Sequence, residues 1–204
     1  MPGGEGLRLL LGTRNRGKLG EYRLLLASSG FELVTPKELD LEVDEAEGTT
    51  SIEDNAVAKA KLYARKGNIL TLAEDSGLFV DALGGAPGVL SARFGASDPE
   101  RIDRLLAELK GVPREKRGAR FACVIALAEP GKLLAVFNGE VAGEIALEPV
   151  GSSGFGYDPA FFLPGAGRTT AQLSPEEKNR ISHRGQAARK ALIFLERLAS
   201  GAAY

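Results

Sequence analysis

The 204-residue chain has one cysteine, one histidine, one methionine and no tryptophan. A lone Cys123 permits neither an internal disulfide nor a cysteine-rich zinc site, and a lone His183 removes every multi-histidine metal arrangement. Any metal should therefore be held by oxygen, which favours Mg²⁺. The same scarcity excludes most Ser-His and Cys-His nucleophile schemes unless His183 is itself the base. Long apolar runs are also missing: none approaches the ~20 residues that span a bilayer, and Met1 to Leu11 lacks the basic start and apolar core of a signal peptide. Charge of one sign does not dominate, with 26 basic against 27 acidic residues, so duplex nucleic acid, which asks for a basic excess, is not the expected ligand. The chain reads as soluble and cytoplasmic, with neither a nucleic acid nor a membrane as partner.

What is present is an ordinary globular composition, 44% hydrophobic and 26% charged, which excludes global disorder, collagen and coiled coil. Leu7 to Gly12 reads as a strand, and Lys18 to Ala27 as a helix with Leu19, Tyr22, Leu25 and Leu26 on its apolar face. A second strand, Phe31 to Thr35, is followed by an acidic loop from Glu38 to Thr50. A helix capped at Thr50 or Ser51 then runs to about Lys66, with Gly67 to stop it. Ile69 to Ala73 is a buried strand running into Glu74-Asp75-Ser76-Gly77, with Leu78 to Val80 and a Gly/Pro loop from Gly84 to Ser91 beyond. Ser97 caps a further helix to about Leu109. Ala119 to Ala128 and Leu133 to Ile145 form a hairpin, and Phe161 to Leu163 a short strand. Ser174 caps a turn, and Gln186 to Leu198 forms a terminal helix. Early alternation of strand and helix followed by a hairpin predicts an α/β fold: a mixed β-sheet flanked by helices, residues 1–204 forming one domain of two lobes.

Three segments can carry chemistry. Gly12-Thr13-Arg14-Asn15-Arg16-Gly17-Lys18 has P-loop spacing, but Leu19 stands where that loop needs a Mg²⁺-binding hydroxyl, which argues against an ATPase or GTPase of that type. Its helix N-terminus, with Thr13, Asn15 and Lys18, still makes a credible triphosphate cradle. An ordinary turn with solvated Arg and Lys shares the pattern. Glu74 and Asp75 follow an apolar strand, where an α/β sheet opens its ligand crevice, and carboxylates there can hold Mg²⁺ or assist a water; a turn bonded to local backbone is the plain alternative. Gly151 to Pro159 carries Phe155, Tyr157 and Asp158 among glycines, suited to stacking a base and reading its edge, or to a structural loop with buried rings. Lys178, His183 and Arg184 offer donors for a carbonyl or phosphate, and Lys59 lies four residues after Asn55 on one helix face.

Together these blocks resemble the house-cleaning nucleoside triphosphate pyrophosphatases that hydrolyse inosine and xanthosine triphosphates. Thr13 to Lys18 with Glu21 is similar to the phosphate loop of that family, Asn55-Ala-Val-Ala-Lys59 to its second helix, and Asp75-Ser-Gly-Leu to its catalytic strand end. Gly84 to Gly88, Ser91-Ala-Arg93, Gly154-Phe-Gly-Tyr-Asp-Pro159 and Ser182-His-Arg-Gly185 continue the series, in one order from about Leu7 to Leu195. The resemblance implies an elongated mixed-sheet fold, a nucleotide in a cleft between two lobes, Mg²⁺ dependence and a homodimer. It also implies roles for individual residues. Thr13, Arg14, Asn15, Arg16, Gly17, Lys18 and Lys59 would bind the triphosphate end of the substrate, and Glu47 and Asp75 would bind metal. Asp75 would take the proton and Ser76 would touch substrate. Phe155, Gly156, Tyr157, Asp158, Lys178, His183 and Arg184 would enclose and read the base. Glu74 stands where many relatives carry Asp, and its longer arm could still reach a metal directly or through water. Two alternatives stand beside this reading: a septum-inhibitor-type nucleotide pyrophosphatase of related fold, and a non-enzymatic nucleotide-binding module.

Overall fold

The structure, a computed structural model, describes residues 7–43 and 51–201. Among the described residues the elements are β1 (Arg8–Leu11), α1 (Arg16–Leu25), β2 (Glu32–Val34), α2 (Ile52–Gly67), β3 (Thr71–Val80), β4 (Pro87–Gly88) and α3 (Asp98–Glu108). They continue with β5 (Gly118–Glu129), β6 (Lys132–Ile145), β7 (Phe161–Leu163), β8 (Arg168–Thr169), α4 (Pro175–Ile181) and α5 (His183–Ala199). The strands form one sheet in the order β2-β1-β3-β5-β6-β7-β8, with β4 paired to β3. It is mixed, as the strand–helix alternation predicts: β1 runs parallel to β2 and β3, whereas β4, β7 and β8 pair antiparallel. Pro130-Gly131 joins β5 to β6, a connection short enough only for an antiparallel pair, and Gly131 takes φ 87° in it.

The chain divides into two compact units. The first takes residues up to Asp75, Val124–Asn138 and from Ala187 on; the second takes Ser76–Cys123 and Gly139–Gln186. In the first, α2 presents Ala56, Ala60 and Ala64 to Ala73, Val124, Ala126 and Ala128, and these small side chains let the helix approach the strands closely. Leu10, Val34, Val43 and Tyr63 form a second cluster there. Gly12 belongs to the same packing, since a Cβ at that position would come within 3.0 Å of the Tyr63 ring. In the second unit Leu78, Val80, Leu105, Leu109, Ile145, Tyr157 and Phe161 form the core. Each fully buried side chain of this size contributes about 1.5–3 kcal/mol. Arg117, 5% exposed, donates to the carbonyls of Val112, Ala146 and Leu109, which satisfies its buried guanidinium.

The structure departs from the sequence pattern at several places: α4, β4 and β8 form where the sequence pattern shows a capped turn, a loop and no element, and three departures bear on the site. β3 does not end at the acids: it runs ten residues through Glu74-Asp75-Ser76-Gly77, because beyond them Leu78 and Phe79 pair with Gly88 and Pro87 of β4. Gly77 permits that pairing, as a Cβ there would meet the Gly88 carbonyl at 2.5 Å. α2 ends with Gly67 still helical, and Asn68 takes the left-handed cap at φ 48°. α5 begins at His183 rather than Gln186, since Ser182 Oγ accepts from Gly185 N at 3.1 Å and caps it three residues early.

Candidate functional site

In the first unit, β1 delivers the chain through Gly12 to the N-terminus of α1. Asn15 is the N-cap: its Oδ1 accepts from Lys18 N at 3.1 Å, and its own N–H donates to Thr13 Oγ1 at 3.2 Å. Capping engages the Asn15 oxygen, so the amide N–H₂ is the donor end of that side chain. Arg16, Gly17 and Lys18 form the first helical turn, where the backbone N–H groups of Arg16 and Gly17, which have no acceptor within the helix, and the helix dipole favour an anion. Arg14 and Arg16 are exposed, and the Arg14 guanidinium donates to Val43 O at 2.6 Å. An open cavity of about 1170 Å³ starts at Thr13, Arg14 and Arg16 and follows α1 past Arg23 towards Lys66.

α2 and β3 supply the second cluster of this unit. Ser51 caps α2, accepting from Asp54 N at 3.0 Å, and so fixes the turn that carries Asn55 and Lys59. Asn55 Nδ2 donates to Asp75 Oδ2 at 2.9 Å and the Lys59 ammonium lies 3.2 Å from Asp75 Oδ1. All three are nearly buried: Asn55 is 4%, Lys59 7% and Asp75 6% exposed. Out of water, carboxylate oxygens need such partners, and both oxygens of Asp75 have one here. Strand alternation sends Glu74 to the opposite face, where α1 rather than α2 receives it. There Glu74 Oε1 pairs with the Lys18 ammonium at 2.8 Å and Oε2 accepts from the Tyr22 hydroxyl at 2.6 Å. The two neighbouring acids therefore serve different partners.

The metal question turns on donor chemistry. Glu47, the other expected ligand, lies outside the described residues. Among the described residues no three His, Cys, Asp or Glu side chains gather as a metal cage. Asp75 offers the hard oxygens that Mg²⁺ takes, and one or two carboxylates completed by phosphate oxygens and water are its ordinary set. The donor set fits such an ion.

Ser76 opens the second unit, and its hydroxyl accepts from Arg184 Nη2 at 3.2 Å. Asp158, 3% exposed, organises the aromatic loop. Its Oδ2 accepts from Phe155 N at 2.8 Å and from the Lys178 ammonium at 2.5 Å, and its Oδ1 accepts from the Thr170 hydroxyl at 3.0 Å. Lys178 Nζ lies 4.9 Å and the Arg184 guanidinium 5.4 Å from the centre of the half-buried Phe155 ring. A ring flanked by two cations, beside a carboxylate, can stack a flat ligand and present donors to its edge. Gly154 must be glycine at φ 79°, since a Cβ would overlap Asp158 Oδ2, and Gly156 N donates to Asp98 Oδ2 at 2.6 Å.

Two expected base contacts sit deeper than a surface loop would place them. Tyr157 packs its ring in the core and donates its hydroxyl to Ser91 O at 2.9 Å; burial pushes that hydroxyl far above the usual phenol range, so it keeps the proton it donates. His183, 6% exposed, stacks on Phe121 with ring centres 4.8 Å apart at the start of α5. Gly185 allows α4 and α5 to meet so tightly, because any side chain there would collide with the Asn179 carbonyl. Ser174 and Glu177 cap α4 reciprocally and set the turn that carries Lys178.

With this geometry in place, comparison with known proteins is specific. The model of the Ham1 family matches residues 9–194. The chain belongs to the Ham1 family. A dITP/XTP pyrophosphatase of Yersinia pseudotuberculosis is 48% identical over 187 residues, covering 88% of this chain and 93% of the relative. A Gloeobacter violaceus protein of the same name is 52% identical over 184 residues, covering 90% and 92%. The solved HAM1 protein of Coxiella burnetii superposes with a TM-score of 0.81 at 40% identity, over 93% of this chain and 98% of that one. Within this Ham1 chain, Tyr22 is the functional candidate that the periodicity hides: it reads as one more apolar position on α1. The available signal was a phenol on a buried helix face, which needs a hydrogen-bond partner.

Proposed function

We propose that this chain hydrolyses the non-standard purine nucleoside triphosphates ITP, dITP and XTP by water attack at the α-phosphorus, releasing the nucleoside monophosphate and pyrophosphate. The observation that carries this reading is Asp75, a buried carboxylate held by Asn55 and Lys59, in a Ham1 chain about half identical to dITP/XTP pyrophosphatases over nine-tenths of its length. Thr13, Asn15, Lys18, Lys59 and the first turn of α1 take the triphosphate. Their fixed donors oppose the negative charge that spreads over the phosphoryl oxygens in the transition state. Asp75 accepts the proton of the attacking water, and Lys59 beside it keeps the carboxylate in place.

Asp75 and Glu47 would hold Mg²⁺, which when bound offsets charge on the pyrophosphate leaving group and acidifies the attacking water. The base goes to Phe155, Lys178, His183 and Arg184. Hypoxanthine and xanthine carry a 6-oxo acceptor where adenine carries an amino donor, so a pocket of donors accepts the first two and leaves adenine's amino group facing donors. The family resemblance also supports a homodimer working in the cytoplasm.

The test is a panel of ITP, XTP, dITP, GTP, ATP and dTTP with Mg²⁺, scored by kcat/KM. The 6-oxo, non-guanine purines should exceed ATP by about a hundredfold or more, the range reached when a polar pocket meets a mismatched base. A preference for dTTP would favour the septum-inhibitor type, and binding without turnover would favour the binding module.

A further inference from the structure

We propose that Tyr22 is a positioning residue for the phosphate-binding Lys18, acting through Glu74; the assignment rests on the triphosphate reading of the cradle above. Lys18 lies in the first turn of α1 and Tyr22 four residues later, so both side chains leave the same helix face. That face meets Glu74 of β3, whose Oε1 lies 2.8 Å from the Lys18 ammonium and whose Oε2 accepts from the Tyr22 hydroxyl at 2.6 Å.

Burial gives the triad a direction. Tyr22 is fully buried and Glu74 is 2% exposed, while the Lys18 side chain is 15% exposed. Lys18 is thus the member of the triad nearest to solvent, and the carboxylate and phenol are its buried support. An ammonium has three donors on a flexible four-carbon stem. Glu74 takes one donor and confines the stem, which aims the others at an incoming phosphate. A carboxylate held at one oxygen alone can swing about its own torsions; the Tyr22 hydroxyl removes that freedom. Phe would fill the same space in the core, so packing alone does not call for the hydroxyl.

The deciding experiment measures tripolyphosphate binding by calorimetry in buffer free of divalent cations, together with KM and kcat for ITP. Wild type, Tyr22→Phe, Glu74→Gln and the double variant are compared. Tyr22→Phe should weaken tripolyphosphate binding about five- to tenfold, raise KM in parallel and leave kcat within about twofold, as expected for one charge-assisted hydrogen bond acting on binding. Because Tyr22 works through Glu74, adding Tyr22→Phe to Glu74→Gln should change binding by less than about twofold.

An equal loss in both backgrounds would overturn the proposal. So would Tyr22→Phe with unchanged binding, or with reduced kcat at unchanged KM, and these outcomes decide the matter even if Glu74→Gln does not fold. Tripolyphosphate binding requires no turnover. A Tyr22 effect in a protein that hydrolyses no nucleotide would therefore uphold the positioning role and overturn the pyrophosphatase reading, whereas full hydrolysis without a Tyr22 effect would do the reverse.

Discussion

Asp75→Asn is expected to lower kcat for ITP by about 10²–10⁴-fold, the range contributed by a positioned general base. The variant should fold with a lowered melting temperature, because an amide has nearly the shape of the carboxylate and its oxygen can still accept from Asn55 or Lys59, while the buried Lys59 loses its counter-charge. What it loses is basicity and negative charge. Asn55 and Lys59 hold Asp75 at 2.9 and 3.2 Å in a nearly buried setting, so no other described carboxylate is placed on the same face of β3 to substitute for it. Glu74, its sequence neighbour, points to α1 and is engaged by Lys18 and Tyr22. Steady-state kinetics with thermal melts checks this. A variant with wild-type kcat would remove Asp75 from the chemistry, and one with lost activity and a collapsed melt would make the residue structural.

Lys178→Met is expected to destabilise the protein by about 3 kcal/mol, the lower end of what removing one partner from a buried ion pair costs. Asp158 and Lys178 are 3% and 5% exposed, so the carboxylate left behind cannot turn to water. The lower end applies because Asp158 keeps Phe155 N–H and the Thr170 hydroxyl as donors. Asp158→Asn in the Lys178→Met background should recover part of the loss, since the buried charge is then gone. Urea denaturation of the single and double variants measures both effects. A single variant within 1 kcal/mol of wild type would contradict the picture of Asp158 as organiser of the aromatic loop.

The fold was legible where periodicity and caps agree. Ser51 and Ser97 cap the helices that the sequence assigns to them, Ser174 opens α4 where the sequence assigns a capped turn, and the β5–β6 hairpin follows from two β-type runs around Pro130-Gly131. The course of β3 was less legible, because acids and glycine in Glu74 to Gly77 look like a turn. Only the long-range pairing with β4 and the close approach of Gly77 to Gly88 make them strand. The start of α5 depends on a single hydroxyl, Ser182 Oγ, meeting Gly185 N.

For the site, spacing put Asn55 and Lys59 on one helix face and Asp75 at a strand end, and only the tertiary fold brings Asp75 to within 2.9 and 3.2 Å of them. Spacing could not separate Glu74 from Asp75 until both were known to lie within one strand, where alternation sends them to opposite faces. Tyr157 and His183 carry polar groups that suit a base, yet their rings are packed against core residues and Phe121, a distinction that depends on tertiary burial.

Isotope incorporation tests the central claim most directly. ITP is hydrolysed with Mg²⁺ in H₂¹⁸O, and the phosphate products are separated and weighed by mass spectrometry. Attack at the α-phosphorus predicts one ¹⁸O in the monophosphate and none in pyrophosphate. Label in pyrophosphate, or release of orthophosphate in place of pyrophosphate, would contradict it.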